Sequence, residues 1–147
     1  DDPDKLSDWK RRDPLEVWTV YFERLTAAAE SGLFNIIGHA DLPKKFGIHP
    51  DRDITPLQER FLRAAKDSDT AVELNTAGLR KDCKEIYPCR HLLTQAFLIG
   101  VPITFGADAH QPGEVGMNFE EAIHLARSVG YTHWCRFSGR TMSYAQI

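Results

Sequence analysis

Three apolar runs in the chain end in polar pairs separated by one residue. Ile36-Ile37-Gly38 leads to His39 and Asp41, Ala71-Val72 to Glu73 and Asn75, and Phe105-Gly106-Ala107 to Asp108 and His110. Residues i and i+2 of an extended segment point the same way, so each pair could present two polar groups to one cavity. Imidazole with carboxylate suits Zn, Mn or Fe, whereas an all-oxygen set would suit Mg or Ca. Any one pair alone is a weak signal, and a lone strand-end Asp-x-His reads more readily as a capping Asp beside a surface His. Three of them point to a metal cluster, as direct ligands or as their supports.

Cations follow the first two pairs: Lys44 and Lys45 in DLPKKFG, Arg80 and Lys81 in NTAGLRK. Arg can grip a phosphate with two parallel hydrogen bonds, while Lys acts as a movable point charge. Metals beside such cations suggest phosphoester hydrolysis, and solvated loop cations are the open alternative. His49, His91, His124 and His133 fall outside the strand-end pattern and read as surface or packing residues. No GxGxxG, GxxxxGK[ST] or GxSxG stretch is present, and Ser138 and Ser143 have no base nearby in sequence.

The elements that must position these residues alternate. Asp13-Pro14 opens a helix that carries Leu15, Trp18, Phe22 and Leu25 at helical spacing and closes at Gly32. Leu33 to Gly38 reads as a strand buried on both faces. Thr55-Pro56 opens a second helix, and Ala71 to Asn75 is the next strand. Leu92, Leu93, Ala96 and Phe97 mark a third helix stopped by Gly100, and Pro102 to Ala107 is a third strand. Asn118 is expected to cap a fourth helix ending at Gly130, and the tail around SGR reads as a short hairpin. Strand-helix alternation predicts a parallel sheet with crossover helices, and chemistry gathers at the carboxyl ends of such strands. All three polar pairs sit there.

At 147 residues the chain is about one domain long, with 42% hydrophobic and 27% charged residues. A net charge of −3 gives no basic face for nucleic acid or anionic lipid. No apolar run approaches the roughly 20 residues needed to span a bilayer. The three cysteines, Cys83, Cys89 and Cys135, are odd in number and lack CxxC spacing, which suits inert thiols in a reduced, cytoplasmic setting. The start at Asp1 suggests a processed chain or a fragment, and residues 1–12 read as an irregular lead-in to a single domain over 1–147.

GLFNIIGHADLPKKFG, ELNTAGLRKDCKEIYP, PITFGADAHQPGEVG and the closing GRTMSYA together resemble the histidinol-phosphatase branch of the polymerase-and-histidinol-phosphatase (PHP) superfamily, from about Asp13 onward. The resemblance implies the C-terminal half of a distorted (β/α)7 TIM-like barrel holding two or three divalent metal ions (Zn, Mn or Fe). The implied reaction is hydrolysis of L-histidinol phosphate, a phosphate monoester of histidine biosynthesis. By position, His39, Asp108 and His110 match metal ligands at the catalytic centre. Arg80 and Lys45 match cations that hold the substrate phosphate, while Glu73 and Asn75 take a supporting place. The family's earlier His-x-His motif and bridging Glu do not occur here.

Half a barrel exposes strand edges and, on this expectation, an apolar interior face. The resemblance therefore implies an N-terminal half as partner, with activity depending on it, or closure by a homo-oligomer. No nucleic acid or membrane partner is expected. The alternatives are another PHP-type phosphoesterase or exonuclease, or a catalytically silent fragment that serves in folding or assembly.

Overall fold

The structure is a computed structural model that describes residue 8 and residues 11–147; most of the predicted lead-in lies outside the described residues. Helix α1 spans Pro14–Glu30 and strand β1 Ile36–Ile37; α2 is Thr55–Asp67 and β2 Ala71–Asn75. Helix α3 runs over Arg90–Ile99, β3 over Ile103–Gly106 and α4 over Phe119–Val129, before a final hairpin of β4 (His133–Ser138) and β5 (Thr141–Gln146). Short 3-10 turns at Leu42–Phe46, Thr76–Arg80 and Pro112–Glu114 follow β1, β2 and β3.

The local reasons are mostly those expected. Asp13 accepts from the Leu15 amide at 3.1 Å with Pro14 at the first helical position, so α1 starts with a capped end. Gly100 ends α3 in the left-handed conformation, its amide donating to Ala96 and Phe97 carbonyls. Asn118 departs from the expected cap. It is itself left-handed and its side-chain amide donates to Glu121 Oε1 at 2.9 Å instead of satisfying the helix backbone.

Strands β1, β2 and β3 form a parallel sheet in that order, with Ile37 beside Val72 and Val72 beside Ile103. Consecutive helices pack side by side, α1 on α2, α2 on α3 and α3 on α4. Alternation then sorts the strands. Ile37, Val72, Leu74 and Ile103 enter the two apolar clusters shared with the helices. Ile36, Ala71, Glu73, Asn75, Thr104 and Gly106 have the opposite parity, so the second face of the sheet is small or polar except at Ile36. Among the described strand residues the expected apolar interior face is reduced to Ile36, 38% exposed, because the other large apolar side chains lie on the helix side.

The C-terminal hairpin also meets this sheet. Thr104 Oγ1 donates to the Cys135 carbonyl at 2.9 Å, and at the hairpin tip Arg140 donates to Asn35 Oδ1 and to the carbonyls of Gly32 and Leu33. The hairpin thus bridges β3 to the approach of β1. This explains why β1 is shorter than the predicted 33–38 strand. The Gly32 and Leu33 carbonyls are claimed by Arg140, the ladder to β2 begins only at Ile36, and His39 turns left-handed. Leu33, Phe34 and Ile36 are exposed, so β1 is not buried on both faces. Its outer edge has no ladder partner among the described residues.

Candidate active site at the strand ends

Glu73 sits at the centre of the three strand ends. Its carboxylate occupies space that a side chain on either neighbouring strand would fill: a Cβ on Gly106 would lie 1.9 Å from Glu73 Oε1, and one on Gly38 2.8 Å from Oε2. Glycine at these two positions makes the placement possible. Asn75 Nδ2 donates to Glu73 Oε2 at 2.9 Å, as expected for i and i+2 on a true strand, and Asn75 Oδ1 caps the next turn by accepting from the Ala77 amide.

His39 links this carboxylate to the third strand. Its Nδ1 lies 3.9 Å from Glu73 Oε2 and its Nε2 3.5 Å from Asp108 Oδ2. The ring leans on Tyr87, with centroids 5.5 Å apart. The His39 carbonyl accepts from the Tyr21 hydroxyl and from the Leu42 amide, which pins a backbone with φ of 52°. Asp108 has nearly the same conformation, φ 47°.

Those two left-handed residues change the other polar pairs. After His39 the chain turns, and Asp41 points away into a buried network. Lys44 Nζ lies 2.9 Å from Asp41 Oδ2 and 2.8 Å from Glu85 Oε2, and it donates to the Ile86 carbonyl. Burial pushes the Asp41 carboxyl up against the opposing pull of Lys44. For Lys44, burial acts downward, but Asp41 and Glu85 outweigh it and hold the ammonium up. Lys44 is thus committed internally and is not an open loop cation. Lys45 is half-buried, its ammonium 5.3 Å from the Phe46 ring centroid.

His110 likewise does not run parallel to Asp108. Its ring folds back so that Nδ1 lies 2.8 Å from the Asp108 carbonyl. A carbonyl can only accept, so Nδ1 carries the proton and, in the neutral ring, Nε2 keeps its lone pair. Arg80 reaches the same turn. Its Nη2 donates to the Ala107 carbonyl at 2.7 Å and the Asp108 carbonyl at 3.4 Å, while Nη1 is buried with no hydrogen-bond partner among the described residues. Glu114 was absent from the sequence-based candidates. It accepts from the His110 amide at 2.8 Å and lies 3.6 Å from Arg80. Tyr21, Glu85 and Tyr87 were also missed: they come from other turns and from α1, and no spacing rule connects them to His39.

The donor set has the right chemistry for a borderline divalent ion, imidazole beside carboxylates, but it is short in number. Among the described residues no group of three or more His, Cys, Asp or Glu side chains is gathered closely enough to hold a metal ion. No helix among them is long and apolar enough to cross a membrane.

Fold and site together define a parallel α/β segment with an imidazole and two carboxylates meeting at its strand carboxyl ends. No family model matches the chain. It is 40% identical over 145 residues to the "Probable histidinol-phosphatase" of Deinococcus radiodurans, covering 98% of this chain and 52% of that protein. It is 35% identical over 89 residues to the Histidinol-phosphatase of Bacillus subtilis, 57% of this chain and 33% of the relative. A crystal structure assigned as histidinol phosphatase hisK from Listeria monocytogenes superposes with a TM-score of 0.62 at 28% identity, over 74% of this chain and 44% of that one. The chain is a relative of the histidinol-phosphatases and corresponds to a C-terminal part of them. It spans about half the length of the Deinococcus relative.

Proposed function

We propose that the chain forms the C-terminal half of a distorted (β/α)7 barrel of the PHP superfamily and takes part in hydrolysing L-histidinol phosphate to histidinol and phosphate in the cytoplasm. The observation that carries this reading is the meeting of His39 and Asp108 over Glu73, in a chain 40% identical to a relative of that name. His39, Asp108 and His110 would hold divalent ions, with further ligands supplied by an N-terminal half. Bound there, the ions would supply Lewis acidity at the phosphoryl group.

The chain's own residues have separate tasks. His110 offers Nε2 because Nδ1 is committed to the Asp108 carbonyl. Arg80 steadies the Asp108 turn through Nη2 and offers Nη1, which has no hydrogen-bond partner among the described residues, to a phosphoryl oxygen. Lys45 adds charge from the turn after β1. Fixed cations placed where negative charge develops favour phosphoryl transfer.

The test is phosphate release from histidinol phosphate with added Mn²⁺ or Zn²⁺, for the chain alone and combined with the N-terminal half of a relative. Turnover that falls about a hundredfold or more in Asp108→Ala supports the reading. Faster hydrolysis of single-stranded DNA would move the chain to a nuclease-like role. No turnover in either form, with less than one ion bound per chain by calorimetry, would leave a silent assembly partner.

A further inference from the structure

The sequence offers Lys44 and Lys45 as neighbouring loop cations, yet Lys44 is among the most buried charged side chains of the molecule. Its side chain is 5% exposed, and its ammonium has no route to a substrate phosphate without leaving three acceptors. A buried ion pair is weak evidence for stability, because desolvation cancels much of the attraction. What it does supply is a defined geometry, since every alternative position leaves a charge unpaired.

The partners of Lys44 lie on two loops. Asp41 belongs to the turn after β1; Glu85 and Ile86 belong to the segment after β2. Asp41 Oδ2 also accepts from the Cys89 amide at 2.7 Å, immediately before α3. Between these anchors lies Tyr87, its ring 5.1 Å from the Lys44 ammonium and in contact with the His39 ring on its own account. Tyr87 is held in turn by backbone bonds in both directions with Asn75, the last residue of β2. The network therefore reaches His39 from below, while Tyr21 and Leu42 hold its carbonyl.

We infer that Lys44 is a positioning residue for His39: clamped between Asp41 and Glu85, it locks the loops after β1 and β2 together so that Tyr87 holds the His39 ring toward Glu73 and Asp108. The role rests on the strand-end site proposed above, and Lys44 itself touches no substrate.

Lys44→Met in the full chain tests this with two independent readouts. By NMR, the His39 ring signals should shift and the His39–Tyr87 ring contact should disappear, while signals of the β4–β5 hairpin stay in place. In the histidinol phosphate assay, kcat should fall about tenfold or more with KM within about threefold, the signature of misplacement and not of lost ground-state binding. Unchanged His39 signals overturn the inference, and so does a rise in KM alone, which would mark Lys44 as a substrate cation. A wild-type chain with no turnover in any form refutes the proposed function, and the NMR comparison still decides the role of Lys44. Should Lys44→Met fail to fold, Asp41→Asn, which keeps an acceptor for the Cys89 amide, carries the same comparison.

Discussion

The loops after β1 and β3 begin alike and are built differently. Each opens with a left-handed, non-glycine residue, His39 or Asp108, and the two side chains meet. The first loop is then stapled from inside: Asp41 and Lys44 are buried, and Tyr21, Glu85, Ile86 and Cys89 complete the network. The second is held near the surface by Arg80 and Glu114, and Asp108, Ala109 and His110 are exposed. One side of the site is therefore anchored and the other left open to solvent. An anchored element facing an open one would suit the proposed role, in which the site admits a charged phosphate monoester.

The sharpest way to break this comparison is the same change on both sides. Lys44→Met leaves Asp41 buried without its counter-charge and should destabilise the chain by about 3–5 kcal/mol. Arg80→Met removes hydrogen bonds to two carbonyls near the surface and should cost about 1–2 kcal/mol. Urea denaturation of the two variants should keep that order; equal losses would show that both loops are built alike. Next in size is Gly106→Ala, whose Cβ meets Glu73 Oε1 and Cδ. It should cost about 1–3 kcal/mol and turn the Glu73 carboxylate away from His39, visible in a crystal structure of the variant.

The smallest effect belongs to Glu114. The His110 amide holds its carboxyl below the usual range, with burial opposing and the Arg80 charge adding to the depression. A depressed folded value means that its contribution is in place above the unfolded value near 4.5 and is lost as pH falls through the folded one. Glu114→Gln should therefore lie slightly below wild type in stability at neutral pH and converge with it in acid. A gap that persists at low pH would point to packing instead of charge.

Much of the fold was legible because it rests on local signals. Asp13-Pro14, Gly100 and the strand Ala71–Asn75 are where spacing and capping place them. The rule that i and i+2 share a face held for Glu73 and Asn75, which lie on a regular strand. It failed for His39 with Asp41 and for Asp108 with His110, because each pair starts on a residue turned left-handed at the strand end. Nothing in HAD or DAH announces that turn. His and Asp tolerate it better than most residues, but they adopt it only where surrounding contacts hold it.

From the sequence alone came the alternation of strands and helices, the resemblance to a phosphatase family and the strand-end residues worth watching. These follow from periodicity, caps and short motifs, which act over a few neighbouring residues. Only the tertiary structure decided which lysine is buried, that Glu73 lies under His39, and that Glu114 and Tyr87 join the site. Those outcomes depend on side chains far apart in the chain competing for the same space and the same hydrogen-bond partners. Lys44 and Lys45 differ in neither type nor local setting. The buried place goes to Lys44 because Asp41, Glu85 and the Ile86 carbonyl converge on that one position.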